Sequence, residues 1–181
     1  MPNNLLLEKY TVSNVVNDKK TCSQLVQCYQ TCADQIKDMY VQGDSFIESL
    51  GNFDATLQAL EHPENNIFYV MKNVEWELLW ALWILDQGVN EMQFLDNKQY
   101  RVLYSKFLGI SEGSQNQGIW TIIKQKVIDL FQEEVKEYPY FFYSRVKETN
   151  TNSQKMNKKL AMEEWKEEDT WYIQYYTTIK K

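Results

Sequence analysis

Histidine is almost missing from this chain. His62 is the one imidazole in 181 residues, so a centre built on two histidines is excluded, and a Ser-His-Asp or Cys-His nucleophile would have to form around that side chain alone. His62 precedes Pro63 at a helix end, where a surface or capping role suits it. Cysteine is scarce as well. Cys22, Cys28 and Cys32 are the three thiols, too few for a disulfide scaffold, and their spacing matches no zinc pattern. Cys28 and Cys32, one helical turn apart, read as small buried apolar residues. Basic charge is short: 19 Lys and Arg against 25 Asp and Glu give a net charge of −6. A pI near 4.9 argues against a protein that holds nucleic acid by neutralising phosphates. No apolar run approaches the roughly twenty residues of a membrane-spanning helix. Residues 1–14 carry three leucines without a basic leader and read as a non-exported start. A cytoplasmic protein without metal or cofactor is expected, with no nucleic-acid or membrane partner.

What is present is apolar and aromatic. The chain is 44% apolar and 14% aromatic, enough for one folded domain and too much for disorder. Leu25, Tyr29, Cys32, Ile36, Met39, Gly43, Phe46, Leu50, Phe53, Leu57 and Leu60 recur in steps of four and three. That is one stripe on a helix, with a kink or break expected near Gly43 and a soft spot at Gly51 and Asn52. After Pro63 a second seam follows: Ile67, Met71, Val74, Leu78, Ala81, Leu85 and Met92. Two seams and a short turn predict an antiparallel helical hairpin. Further helices are expected over about 98–108, from near 117 to Val135, and from Lys158 to Ile179, while Pro139 makes residues 138–143 irregular. The fold class expected is all-α: a helical bundle of about five helices, with residues 1–147 as its core. Residues 148–157 read as a polar linker, and 158–181 as an amphipathic helix packed on the same domain.

The chemistry-bearing candidates are few. Glu133, Glu134 and Glu137, and the cluster from Glu163 to Asp169, have helical spacing that could bridge magnesium. Their lysine-rich surroundings fit solvated faces better. Glu75 and Glu77 stand on the Trp-rich segment, where a buried carboxylate would have to be paired, neutral or functional. Residues 109–118 form a loop of Gly, Ser, Gln and Asn that could cradle an anion ahead of the next helix, although it lacks the Walker lysine and follows an expected helix rather than a strand. Trp76, Trp80 and Trp83 at helical spacing read as core, or as an aromatic pocket or anchor patch.

His62, Pro63, Glu64 and Ile67-Phe68, with Trp76-Glu77-Leu78-Leu79-Trp80, resemble the segment that opens the distal haem helix of tryptophan dioxygenases. Residues 108–115, reading LGISEGSQ, are similar to that family's substrate loop. The resemblance implies a helical scaffold with an aromatic pocket. The departures concern its chemistry. Lys72 or Asn73 stands where the distal histidine would be, Ser105 where the substrate-binding arginine would be, and residues 171–175 bring no axial histidine. Haem oxygenation is thereby disfavoured.

The expectation that follows is a non-enzymatic interaction protein that binds a protein partner or forms a homodimer through its seams and aromatics. The alternative is a small-molecule binder or minor enzyme whose pocket uses Trp76, Trp80, Trp83, Glu75, Glu77, Ser111, Gly113 and Gln115.

Overall fold

The computed structural model describes residues 5–40, 42, 44–114, 119–135, 137–166 and 171–180. The elements run in chain order: β1 (Leu6–Thr11), α1 (Val12–Asn17), α2 (Lys19–Ile36), α3 (Ser45–Gly51), α4 (Phe53–Gln58), β2 (Asn66–Lys72) and β3 (Leu78–Met92). They continue with β4 (Lys98–Ile110), α5 (Ile119–Glu134), β5 (Tyr140–Lys147), α6 (Thr151–Lys159), β6 (Glu163–Lys166) and β7 (Tyr172–Ile179). The strands form one sheet in the order β1-β2-β3-β4-β5-β7-β6. The fold is therefore mixed α/β, and the all-α bundle on a long helical hairpin is overturned. Two units divide the chain: Met1–Ile84 with Phe107–Asn116, and Leu85–Lys106 with Gln117–Lys181. Among the described residues no helix is long and apolar enough to cross a membrane.

In the first unit the helical seam is sound. Asp18 starts α2 by accepting from Thr21 N at 3.1 Å, as a capping side chain does. Leu25, Tyr29 and Cys32 of α2 are buried with Leu50 of α3 and Phe53 and Leu57 of α4, against Phe68 and Trp83 of the strands. The helical run does break in the middle: Asp44 caps α3 through Phe46 N at 3.0 Å, while Gly43 lies outside the described residues. What fails is the partner. Residues 66–72 and 78–84 form strands, not a second helix, and nearly every residue in both runs is buried. A strand covered on both faces reads as a continuous apolar run, and its β-branched and aromatic content is the cue that separates it from a buried helix.

Lys72, the last residue of β2, is the buried charge of this unit among the described residues. Its ammonium is 3.1 Å from Glu8 Oε2 and donates to Tyr10 Oη and Thr21 Oγ1, each at 2.7 Å. One buried charge thus joins β1, β2 and α2, with a carboxylate to offset its burial.

In the second unit β5 lies between β4 and β7. It pairs with β4 in parallel from Arg101↔Tyr140 to Ser105↔Ser144, and with β7 antiparallel along its whole length. Phe131 of α5 packs on the rings of Tyr140 and Phe142, at 5.6 and 5.8 Å, so this face of β5 lies under α5. The opposite face carries Phe141, Tyr143 and Tyr176, with Phe94 and Trp165 stacked at 5.1 Å beside them. Residues 151–159, most of which fall in the expected linker, are helix α6. The expected terminal helix is instead the hairpin partners β6 and β7, joined from Glu163↔Tyr176 to Lys166↔Ile173.

The end of α6 shows how the chain is turned into β6. Met162 N donates to Asn157 O at 3.2 Å and Ala161 N to Lys158 O at 3.1 Å, the paired bonds of a Schellman ending. That ending needs a left-handed residue, and Ala161 takes it at φ 52. Glycine bears this conformation without the Cβ penalty. Replacing Ala161 by Gly is expected to stabilise the protein by about 0.5–1 kcal/mol, read as a raised urea midpoint at unchanged slope. A lowered midpoint would show that the turn is not under strain.

Candidate functional site

The residues singled out from the sequence do not assemble. Trp76 sits in the turn between β2 and β3, half exposed, with φ 62. Glu75 and Glu77 flank it on the surface, their amides both donating to Asn73 Oδ1 at 2.9 Å. Trp80 and Trp83 are fully buried on β3, but three residues apart on a strand they point to opposite faces. Trp83 belongs to the core with Tyr29, Phe53 and Phe68, and its Nε1 donates to Asn66 Oδ1 at 2.8 Å. The three tryptophans line no common pocket. Ser111 ties its loop to β3: its N and Oγ both reach Leu79 O, at 3.0 and 3.1 Å, and its Oγ bonds Ser114 Oγ. Gly113 is exposed, and Gln115 lies outside the described residues. His62 is on the surface, 3.3 Å from Glu64. Among the described residues no group of His, Cys, Asp or Glu is placed to hold a metal ion.

A different set does converge. The buried polar residues described in the second unit are Asp86, Ser105, Lys124, Ser144 and Asn157. Asp86 is matched by Arg101, whose Nε donates to Oδ2 at 2.8 Å. The other four meet where the β4–β5 ladder stops. Ser105 and Ser144 are its last partners, and side chains in register share a face. Lys124, from the covering helix α5, reaches Asn157 Oδ1 of α6 and lies 3.5 Å from Ser144 Oγ and 5.5 Å from the centre of the Phe142 ring. Asn157 Nδ2 is buried without a partner among the described residues.

Lys124 is 1% exposed and among the described residues has no carboxylate beside it. Burial penalises the charged amine, and its pKa falls from 10.5 to about 7. Near neutral pH this amine is therefore both donor and acceptor, an unusual property for a lysine. Its position was readable in principle: Lys124, Val127 and Phe131 fall on one helical stripe, so a lysine stood among residues expected to be buried.

Two further features belong to the same unit. β5 continues through Arg145, Val146 and Lys147 beyond its last β4 partner, and at its end Lys147 O accepts from Asn150 N at 2.9 Å. The helix α5, 16 residues long, begins at Ile119, and its first amides point toward a place where an anion is favoured. The segment before α5 follows strand β4, not a helix, so that objection to an anion-binding loop falls away. Residues 115–118 lie outside the described residues.

No protein-family model and no curated protein matches the sequence. Solved structures do. A GNAT-family acetyltransferase from Listeria monocytogenes matches with a TM-score of 0.61 at 12% identity, over 97% of this chain and 95% of that one. Spermidine N-acetyltransferase from Vibrio cholerae, solved in complex with CoA and spermine, matches at 0.58 and 10%, again over 97% and 95%. A GNAT-family acetyltransferase from Staphylococcus aureus Mu50 matches at 0.60 and 15%, over 97% and 99%. At these identities the likeness is one of fold, and it spans nearly the whole chain. It overturns the resemblance to tryptophan dioxygenases, whose proposed haem-helix segment here forms a turn and strands. It also overturns the reading as a non-enzymatic helical adaptor: the helical scaffold that reading needed is absent, and the three structures named are acetyltransferases.

The Lys124 assignment has a stability signature. Below pH 7 the amine is charged in both folded and unfolded states, and the full cost of burying the charge is present. Between about 7 and 10.5 the unfolded chain holds the proton that the folded chain has released, so this residue's contribution to stability rises with pH. Lys124→Met is expected to be more stable than the native sequence at pH 7, by on the order of a few kcal/mol, with the gap closing toward pH 10. Urea titrations across that range measure it, and a gap independent of pH would refute a neutralised amine.

Proposed function

We propose that this chain is an acetyl-CoA-dependent N-acetyltransferase acting on a cationic amine. The observation that carries the reading is the end of the β4–β5 ladder, where β5 runs on past its last β4 partner beside the buried cluster around Lys124, in a fold shared with acetyltransferases. The residues fit the cosubstrate in kind. The pantetheine arm of CoA is a chain of two amides, which the main chain of β5 past its last β4 partner can hold by hydrogen bonds of the kind an added strand makes. The diphosphate suits the first turn of α5. Bound acetyl-CoA supplies a thioester whose carbonyl an amine attacks.

The chain's own groups can carry a proton. A cationic amine gives up two protons on becoming an amide, one before it attacks and one after; the departing thiolate takes up one and solvent the other. Lys124 Nζ, uncharged in about half of the molecules near neutral pH, accepts a proton through Ser144 Oγ and passes it on. Asn157 Oδ1 orients Lys124 for that exchange. The net charge of −6 favours the approach of cationic acceptors, and spermine in the Vibrio cholerae structure makes polyamines the first class to try. A cytoplasmic location, where acetyl-CoA is made and used, goes with this reading.

The test measures acetyl-CoA binding by calorimetry and thiol release with a panel of polyamines and smaller cationic amines. Binding together with amine-dependent thiol release is expected, with turnover rising as pH passes through about 7. Lys124→Met should bind acetyl-CoA normally but lose about tenfold or more in turnover and lose that pH dependence. A chain that shows no affinity for acetyl-CoA would overturn the reading.

A further inference from the structure

β6 is the last strand of the sheet. It pairs with β7 on one side, and its four residues Glu163, Glu164, Trp165 and Lys166 are all exposed. An exposed edge is a template for another strand. We infer that this edge pairs with the same edge of a second copy, antiparallel, about a two-fold axis at Trp165.

The register follows from geometry and charge. A two-fold axis normal to the sheet pairs two copies of one edge antiparallel and keeps each face on its own side. Directly opposite residues must then share a face, so each symmetric register is centred on one residue facing its own copy. Centring on Glu163, Glu164 or Lys166 sets like charges against each other at the axis, which is unfavourable. Centring on Trp165 does not. It brings indole against indole and sets Glu164 opposite Lys166 of the second copy, twice by symmetry. One register out of four is self-complementary.

The surroundings suit that register. Trp165 stacks on Phe94 at 5.1 Å, and these side chains remain 38% and 48% exposed. Pairing at the axis would draw two such stacks together on one face and remove apolar surface from water. On the other face Glu164 is 3.1 Å from Lys158, and Lys166 is paired with Glu148. Lys166–Glu148 is a pair of small worth that can turn to a second copy; Glu164 also accepts from Tyr175 Oη at 3.3 Å, and since its contacts with Lys158 and Tyr175 both use Oε2, its Oε1 is left to meet the second copy's lysine.

The inference is independent of acetyl transfer, because its readout is mass alone. Sedimentation velocity of the native chain at micromolar concentrations should give about twice 21.6 kDa. Lys166→Glu and Glu164→Lys each set like charges opposite one another and should give monomers with unchanged circular dichroism. The double variant restores opposite charges with the signs exchanged and should be dimeric again. A native chain that stays monomeric into the high micromolar range, a dimer that survives both single changes, or a folded double variant that stays monomeric would each overturn the inference.

Discussion

Parallel pairing of β4 with β5 is the constraint from which the second unit is built. A tight hairpin cannot join parallel strands; a crossover of a dozen or more residues is required, and a helix normally supplies it. Here α5 is that crossover, and it lies over the face of β5 that carries Tyr140, Phe142 and Ser144. Because the two strands stay paired for only five residues, the same geometry sets the polar cluster beside the stretch of β5 that runs on past β4. Hydrophobic burial of Phe131 against Phe142 fixes the helix on the sheet, and the position of Lys124 is a consequence of that seating. The antiparallel partner β7 then completes the other side of β5 with eight matched residues, which leaves the β4 side as the place where the strand is incomplete.

Much of the first half was legible because helices of the first unit are amphipathic in the ordinary way. Leu25, Tyr29, Cys32, Leu50, Phe53 and Leu57 share a period with the helix and are buried where the period places them. The strands were illegible for the complementary reason. Residues 68–72 and 80–84 are buried on both faces, which erases the alternation that announces a strand. Ile67, Met71, Val74 and Leu78 happen to fall in steps of four and three, and any dense apolar run offers such a subset. Composition was the better guide: Tyr69, Val70, Trp80, Trp83 and Ile84 are residues that favour pleated surfaces. Once these segments were taken as helical, Trp76, Trp80 and Trp83 became one stripe and a pocket was expected, whereas two of them point to opposite faces and the third sits in a turn.

The second half was misread through its polar residues. Residues 148–157 lack apolar anchors, yet 151–159 are helical because Asn150 caps the segment through Ser153 N at 3.1 Å and the Schellman bonds at Ala161 close it. Local hydrogen bonding supplied what hydrophobic period did not. Tyr172, Ile173, Tyr175, Tyr176 and Ile179 fit a helix and a strand about equally well by spacing, and their aromatic and β-branched character decides for the strand. The resemblance to a haem enzyme rested on short segments of common residues, and the histidines missing from it were the better signal. In the candidate site, the lysine at position 124 was the legible clue: among Ile123, Val127 and Phe131, a charged residue contradicts its surroundings, and such contradictions collect where proteins act.

Among the described residues two lysines are buried, and the contrast between them argues for a role in one. Burial pulls the pKa of Lys72 down, but hydrogen bonds with Tyr10 and Glu8 outweigh it and the net shift is upward. That amine stays charged, saturated by its partners, and serves as a structural tie. Lys124 is more deeply enclosed and lacks the compensation: burial alone acts, and the pKa comes down to about 7. An unpaired ammonium in such a place sheds its proton rather than bear the desolvation. If structure were the only demand, a methionine would fill the space without that cost. A lysine that is half neutral, beside a hydroxyl and an amide with a free donor, is disposed for proton exchange. It lies where β5 runs past its last β4 partner, so the seating of α5 that places the amine on the sheet also places it beside the end of the ladder.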